Sequence, residues 1–296
     1  MPGNDEILQQ GIDRWTAQLL ERGYCVIPDL LPSKRILDLD ADLLADFDGT
    51  PFCRGGFYGE RTKRFGRLLL RSPIAADLVQ DALVTGVVER VLSPWCDNIQ
   101  LNLTQAIALH PGALPQLPHR DQDMWRGAVG ETEYLVNVMW PFTRYTGSNG
   151  ATQLWPCSHG ARALDPAVPG NPLTVELEPG SALLFLGSTL HGAGGNRSSE
   201  VRRGAIVSYC LGWLKPYENQ WLAYPPDVAA AFPPELAALV GYRQHRPNLG
   251  NFEGQCPSIL LGGAPPARRL GAEDALRPDQ AELVEDYVAE QKRAAA

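Results

Sequence analysis

The chain has 296 residues, 44% hydrophobic and 20% charged, the composition of a globular protein long enough for one large core with decorations. A net charge of −8 argues against nucleic acid or an anionic membrane as the main partner, since both reward a clustered basic face, and favours a small molecule. The opening "MPGNDEILQQ" lacks the basic-then-apolar order of a signal peptide and no stretch is apolar enough to span a bilayer, so a cytoplasmic location is expected.

In chain order, residues 5–22 place Ile7, Leu8, Ile12, Trp15 and Leu19 at helical spacing, and Gly23 stops the pattern. "YCVIPDLL" predicts a short strand leading into a second, acidic helix at about 33–47. From about 97 the character changes. "NIQLNLTQAIALH", "YLVNVMWPF", "LTVELEP", "SALLFLG" and "GAIVSYCLGWL" are short runs rich in β-branched and aromatic residues, punctuated by "HPGALP", "TGSNGA", "EPGS" and "HGAGGN". Such spacing predicts an antiparallel sandwich or barrel. A Pro-rich stretch, "YPPDVAAAFPPELAALVGY", and Gly/Pro-rich loop follow. "RPDQAELVEDYVAEQKR" then predicts a last helix capped by Asp279, with the final "AAA" disordered. The expected organisation is one domain over 1–296: a mostly helical part over 1–95, a β core over 96–215, and C-terminal loops and helix over 216–296. Six cysteines, far apart and without C-x-x-C spacing, predict reduced and mostly buried thiols.

The chemistry begins at "LPHRDQDMW" (117–125). His119-x-Asp121 alone is weak evidence, because five histidines and 18 aspartates yield about 0.3 such triplets by chance. In an extended chain, however, both side chains point to one face. His191 follows the run "SALLFLGSTL", and strands this distant in sequence become neighbours in an antiparallel barrel. Two imidazoles and one carboxylate on one side of a metal leave opposite positions open, the arrangement of non-heme Fe(II) oxygenases; the same set also suits catalytic zinc. Arg202, at the start of "RGAIVSYCLGWL", supplies a guanidinium able to clamp a dicarboxylate bidentately.

The order His-x-Asp, "NGATQLWPCSH" (149–159), "PGSALLFLGSTLHGAGGN" (179–196) and "RRGA" (202–205) resembles the phytanoyl-CoA dioxygenase-like family of Fe(II)/2-oxoglutarate oxygenases. "RTKRFGRLLLRSP" (61–73) and "LGWLKPYENQW" (211–221) resemble its bacterial and fungal biosynthetic members. The resemblance implies a mainly β fold with flanking helices, a double-stranded β-helix or cupin-like jelly roll. It implies His119, Asp121 and His191 as catalytic ligands of Fe(II), with Arg202 on the distal carboxylate of 2-oxoglutarate and Thr152 and Gln116 as further contacts to it. Arg203 is the alternative clamp. With O2, such an enzyme hydroxylates, desaturates or otherwise oxidises its substrate and releases succinate and CO2. Asp121 argues against halogenation, where relatives carry a small residue at that position. Cys157 departs from the family pattern, which has glycine there.

Met124 and Trp125, just beyond the motif, and Tyr58 are candidate substrate contacts, with Phe57 as a further wall residue. An apolar, aromatic pocket without a lysine cluster suits a small secondary metabolite better than a CoA thioester. Asp123 is the runner-up carboxylate, and His110, His159 and His245 read as loop, surface or structural residues. Two other readings stand beside the oxygenase: a zinc-dependent hydrolase using the same three ligands, and a non-catalytic binding module of the same fold. A homodimer closing a neighbour's pocket with the C-terminal region is a further expectation.

Overall fold

The computed structural model describes residues 3–127, 130–165, 167, 169–263 and 267–295. Helix α1 (Asn4–Arg22) ends where Gly23 turns left-handed, at φ 82°, and donates its backbone N–H to Leu19 O. Space as well as conformation demands glycine there. A Cβ would stand 2.6 Å from both His159 Nδ1 and Thr189 Oγ1. Strand β1 (Tyr24–Ile27), α2 (Ser33–Gly49), β2 (Thr62–Phe65), α3 (Ala75–Val79) and α4 (Ala82–Leu92) complete the N-terminal part. Asp81 caps α4 by accepting the N–H groups of Leu83 and Val84.

Seven further strands follow: β3 (Ile99–Leu109), β4 (Leu135–Pro141), β5 (Thr152–Leu154), β6 (Leu173–Val175), β7 (Ala182–Leu186), β8 (His191–Ala193) and β9 (Arg202–Leu211). They form a six-stranded sheet ordered β1-β7-β4-β9-β3-β2 and a three-stranded sheet ordered β6-β5-β8. Each adjacent pair is antiparallel. Ile107, Met139 and Phe185 of the larger sheet pack with Leu154 and Val175 of the smaller, so the sheets face each other as a double-stranded β-helix. Short helices α5 (Gln220–Ala223), α6 (Pro226–Ala229) and α7 (Pro234–Leu239) follow, the last two with proline in their first turn, where its missing N–H costs nothing. Helix α8 (Pro278–Ala295) closes the chain. Among the described residues, no helix is long and apolar enough to cross a membrane.

The period-two alternation of the strands places two cores on two faces of one sheet. Val136, Val138 and Trp140 of β4, with Leu184 and Leu186 of β7, join the helix-facing core, while Met139, Leu183 and Phe185 face the other sheet. Asn137 shares that inner face, in register with Phe185 and Ser208. The regular ladder of β3 and β9 shifts between Leu101 and Leu103, a bulge that leaves Asn102 outside the pairing beside the cavity.

Four expectations are corrected. The larger sheet draws both edge strands from the N-terminal part. One of them, β2, reads "TKRF" and gives no apolar alternation to announce it. Asp279 lies inside the first turn of α8 rather than at its cap, because the helix begins at Pro278. The helix runs through Ala294 and Ala295, so these are ordered, and Ala296 lies outside the described residues. Of the six free thiols, Cys25 and Cys210 are buried and the other four are partly exposed.

Candidate active site

His119 and His191 face each other across an antiparallel bridge. His119 N–H donates to His191 O (2.9 Å) and His191 N–H to His119 O (3.0 Å), setting the ring centroids 4.4 Å apart. Each Nδ1 lies against the carbonyl two residues earlier, Leu117 O at 2.8 Å and Thr189 O at 3.1 Å. A carbonyl can only accept, so Nδ1 carries the proton and Nε2 presents its lone pair. After Arg120 the extended chain tightens into a 3-10 turn over Asp121–Met124. Asp121 Oδ1 then lies 3.4 Å from His119 Nε2 and Oδ2 lies 3.5 Å from His191 Nε2. Asn137 Nδ2 donates to Asp121 Oδ2 at 2.9 Å and fixes the carboxylate. The motif's backbone is held as well: Arg120 donates to Ser158 O and Ser188 O, and Gln122 N–H to Gly187 O.

The three donor atoms lie within 4.8 Å of one another, and a metal could bridge them. The protonation of Asp121 and His191 suits one, and His119 would release its Nε2 proton on binding it. Burial alone would push the Asp121 carboxyl up, but the two imidazoles and Asn137 reverse this and hold it at about 2. Burial drives His191 down to about 4, so its ring is neutral near pH 7. Burial also works against charge on His119, but the adjacent Asp121 carboxylate outweighs it and raises the pKa above the ordinary histidine value. A deprotonated carboxylate and a free imidazole nitrogen are what a divalent cation requires.

Before the triad lies a cavity of about 360 Å³. Gln116, Thr152, Tyr58, Met124 and Arg202 line it; Trp125 does not. Trp125 follows the 3-10 turn, packs against the helix-facing core and donates its indole N–H to Lys215 O at 2.9 Å. Arg202 is 2% exposed. Its Nη1 donates to Gly150 O (2.8 Å), its guanidinium carbon lies 4.3 Å from the Tyr145 ring centroid, and its buried Nε has no protein partner. Arg203, one residue on, points to the other face and pairs with Asp40 through bonds of 2.8 and 2.7 Å. Alternation along β9 thus puts one arginine in the cavity and its neighbour in a helix contact.

The remaining histidines lie elsewhere. His159 Nε2 lies 2.8 Å from Leu20 O and ties the site's flank to α1, and His110 meets the Phe52 ring edge-on at 4.9 Å. His245 is buried rather than at the surface, and accepts Asp97 N–H at 3.0 Å. Asp123 lines the cavity in the same 3-10 turn as Asp121 but lies outside the three-ligand cluster.

Among the cavity residues that escaped the sequence reading, two polar ones stand out. Asn137 is the polar interruption in "YLVNVMWPF", a signal available in the pattern. Arg64, on β2, enters the same cavity. It donates Nη1 to Gln105 Oε1 at 3.0 Å, keeps a buried Nε without partner, and has its pKa pulled down by burial. One of four cations in "RTKRFGR", it carried no mark of its own in the sequence.

The family model for phytanoyl-CoA dioxygenase (PhyH) matches residues 19–204, a span that holds the triad, Arg64, Asn137, Thr152 and Arg202. Dioxygenase cdmD of Talaromyces verruculosus is 31% identical over 194 residues, 62% of this chain and 63% of that protein, so the match spans under two thirds of its length. Dioxygenase trt7 of Aspergillus terreus is 27% identical over 239 residues, 77% of this chain and 83% of that protein. Among solved structures, the epimerase SnoN in complex with Fe3+, alpha ketoglutarate and nogalamycin RO superposes with a TM-score of 0.56 at 18% identity, covering 69% of this chain and 85% of that one. Since the family model covers well over half of the sequence, the chain belongs to the phytanoyl-CoA dioxygenase (PhyH) family.

Proposed function

We propose that the protein is an Fe(II)- and 2-oxoglutarate-dependent dioxygenase acting on a small, largely apolar secondary metabolite. One observation carries the reading: the three metal donors share a cavity with a buried guanidinium, Arg202, whose Nε lacks a partner. A bare hydrolytic metal needs no such cation, whereas a dicarboxylate chelated at one end needs a counterion at the other. The Fe3+ and alpha ketoglutarate in SnoN, and the dioxygenase names of cdmD and trt7, support the same chemistry.

In this reading His119, Asp121 and His191 hold Fe(II). Iron held there would supply, with 2-oxoglutarate and O2, the chemistry of an oxidation of the substrate, the cosubstrate leaving as succinate and CO2. Arg202 neutralises the distal carboxylate; the Thr152 hydroxyl and Gln116 amide contact the cosubstrate, and Arg64 offers it a second cation. Asn137 holds the Asp121 carboxylate in place, since an acceptor fixed by a donated hydrogen bond keeps its orientation through turnover. Phe57, whose ring meets His119 edge-on at 4.8 Å, and Tyr58, hydrogen-bonded to Tyr217, cover the centre and keep water from it. Met124 and Tyr58 form the apolar wall offered to the substrate. Trp125 takes no part, because it lies outside the cavity.

The test is release of labelled CO2 from C1-labelled 2-oxoglutarate by Fe(II)-loaded protein. Release is expected in air, none without O2, and less than about 1% of it in Asp121→Ala at equal protein. O2-independent hydrolysis by zinc-loaded protein, without CO2 release from the iron form, would overturn the proposal.

A further inference from the structure

The segment 53–61, between α2 and β2, crosses the cavity as a strap. On one side Phe57 O accepts from Gln116 Nε2 (3.3 Å) and the Phe57 ring rests on His119; on the other the Tyr58 hydroxyl meets that of Tyr217. Arg61 Nε donates to Pro111 O at 3.1 Å and ties the end of the strap to the loop before Gln116. A second cavity, of about 560 Å³, lies along the strap between Gly59–Thr62 and Gly112–Gln116. It shares Phe57, Tyr58, Arg64 and Arg202 with the cavity before the metal donors. The two spaces therefore meet at the strap and at the guanidinium groups of Arg64, partly buried, and Arg202, buried.

Their charges differ. The space along the strap presents Arg61, Arg64 and Arg202 against one carboxylate, Glu60. The space before the triad has the same Arg64 and Arg202 but adds Asp121, Asp123 and Arg120 where the strap side adds Arg61 and Glu60, so its own groups carry one more negative charge. A dianion approaching along the strap meets the guanidinium groups first, and one approaching from the other side must pass Asp123.

We infer that the strap divides the active-site entrance into two mouths. The dicarboxylate cosubstrate enters, and the dicarboxylate product leaves, by the arginine-lined mouth between the strap and residues 112–116. The apolar substrate uses the other mouth, past Met124 and Tyr217. The inference rests on the 2-oxoglutarate reading above. Its consequence is kinetic: cosubstrate exchanges without the substrate having to leave.

The experiment is stopped-flow mixing of anaerobic, Fe(II)-loaded protein with 2-oxoglutarate, following the visible charge-transfer band of the chelate. Leu114, 84% exposed, lines the arginine-side mouth and no part of the metal site. Leu114→Trp narrows the path without touching the destination, so association and dissociation should slow together, by about fivefold, at constant Kd. Arg61→Glu should lower the association rate about tenfold at low salt, with the difference collapsing near 1 M salt as screening removes steering. Unchanged rates in both variants, with slowing by Met124→Trp instead, would overturn the inference and leave the cosubstrate assignment standing. A Leu114→Trp protein with altered Kd but unaltered dissociation would overturn it too, by marking a contact rather than a passage. Absence of the band in the iron-loaded parent would remove the cosubstrate reading and this inference together.

Discussion

The two faces of the six-stranded sheet come from the same strands, one residue apart, and perform opposite tasks. Toward the helices stand Val136, Val138, Trp140 and Leu184, apolar and fully buried; toward the smaller sheet stand Gln105, Asn137, Phe185 and Arg202, mixed in polarity and turned to the cavity. The adjacent pair at the start of β9 compresses the contrast into two residues. Arg203 is satisfied by a bidentate pair with Asp40, whereas Arg202 keeps a buried N–H without partner. A group left unsatisfied in the interior costs stability unless something else binds it. The helix-facing side also holds an unpartnered buried group, the Trp140 indole N–H, so what sets the cavity face apart is a buried cation with no carboxylate beside it, a place for an anionic ligand.

If that division is real, substitutions on the two faces should separate stability from binding. The largest loss of stability belongs to the helix-facing side. Trp140→Ala removes a fully buried indole and should cost about 3–5 kcal/mol by urea denaturation, with residual folded protein retaining its metal affinity. The arginine pair splits the readouts directly. Arg203→Met strands a carboxylate that is only 7% exposed and should cost about 2–3 kcal/mol of stability with no change in 2-oxoglutarate affinity. Arg202→Met should weaken that affinity by about 100-fold, measured by titration calorimetry of the metal-loaded protein, and leave the melting temperature equal or higher.

A smaller effect, and one that depends on pH, comes from a pair remote from the cavity. Arg246, hydrogen-bonded to Asp97, holds that carboxyl at about 2, below its ordinary 3.8. Because the folded state lowers the pKa, the contribution is complete above pH 3.8 and is lost as the pH falls toward 2. The Arg246 side chain is 42% exposed, so solvent screening keeps the contribution small. Arg246→Met should be slightly less stable than the parent at pH 7 and equal to it once the pH falls below about 2, with cosubstrate binding untouched at neutral pH. The smallest effect is local. Cys157 adopts φ 58°, the left-handed region, which glycine enters without a Cβ clash. Cys157→Gly should gain about 0.5 kcal/mol in chemical denaturation, the relief of the Cβ clash exceeding the entropy that glycine adds to the unfolded chain.

Much of this was legible in the residues. The runs "NIQLNLTQAIALH", "YLVNVMWPF" and "GAIVSYCLGWL" became β3, β4 and β9 because their β-branched and aromatic content fits a sheet buried on both faces. His119 and His191 could be read as neighbours only by supposing an antiparallel barrel, and the bridge between them is long-range pairing that no local pattern encodes. Asp121 was legible as a candidate for a reason that needed revision: the chain does not stay extended through it but coils into a 3-10 turn. Trp125 was a candidate by proximity alone, and beyond that turn its indole packs against the helix-facing core. Arg64 was illegible because its role depends on β2 pairing with β3, between Thr62–Phe65 and Ala106–Leu109, a register that a basic four-residue strand cannot announce.

The central claim is that the inner face holds a metal and a dicarboxylate together. Its most direct test is an anaerobic visible titration of Fe(II)-loaded protein with 2-oxoglutarate, run on the parent, His119→Ala, Arg202→Met and Arg203→Met. The account predicts a charge-transfer band in the parent and in Arg203→Met at the same cosubstrate concentration, a band displaced to higher concentration in Arg202→Met, and none in His119→Ala. A folded, iron-loaded parent that gives no band, or a band that shifts with Arg203 and not with Arg202, would contradict it.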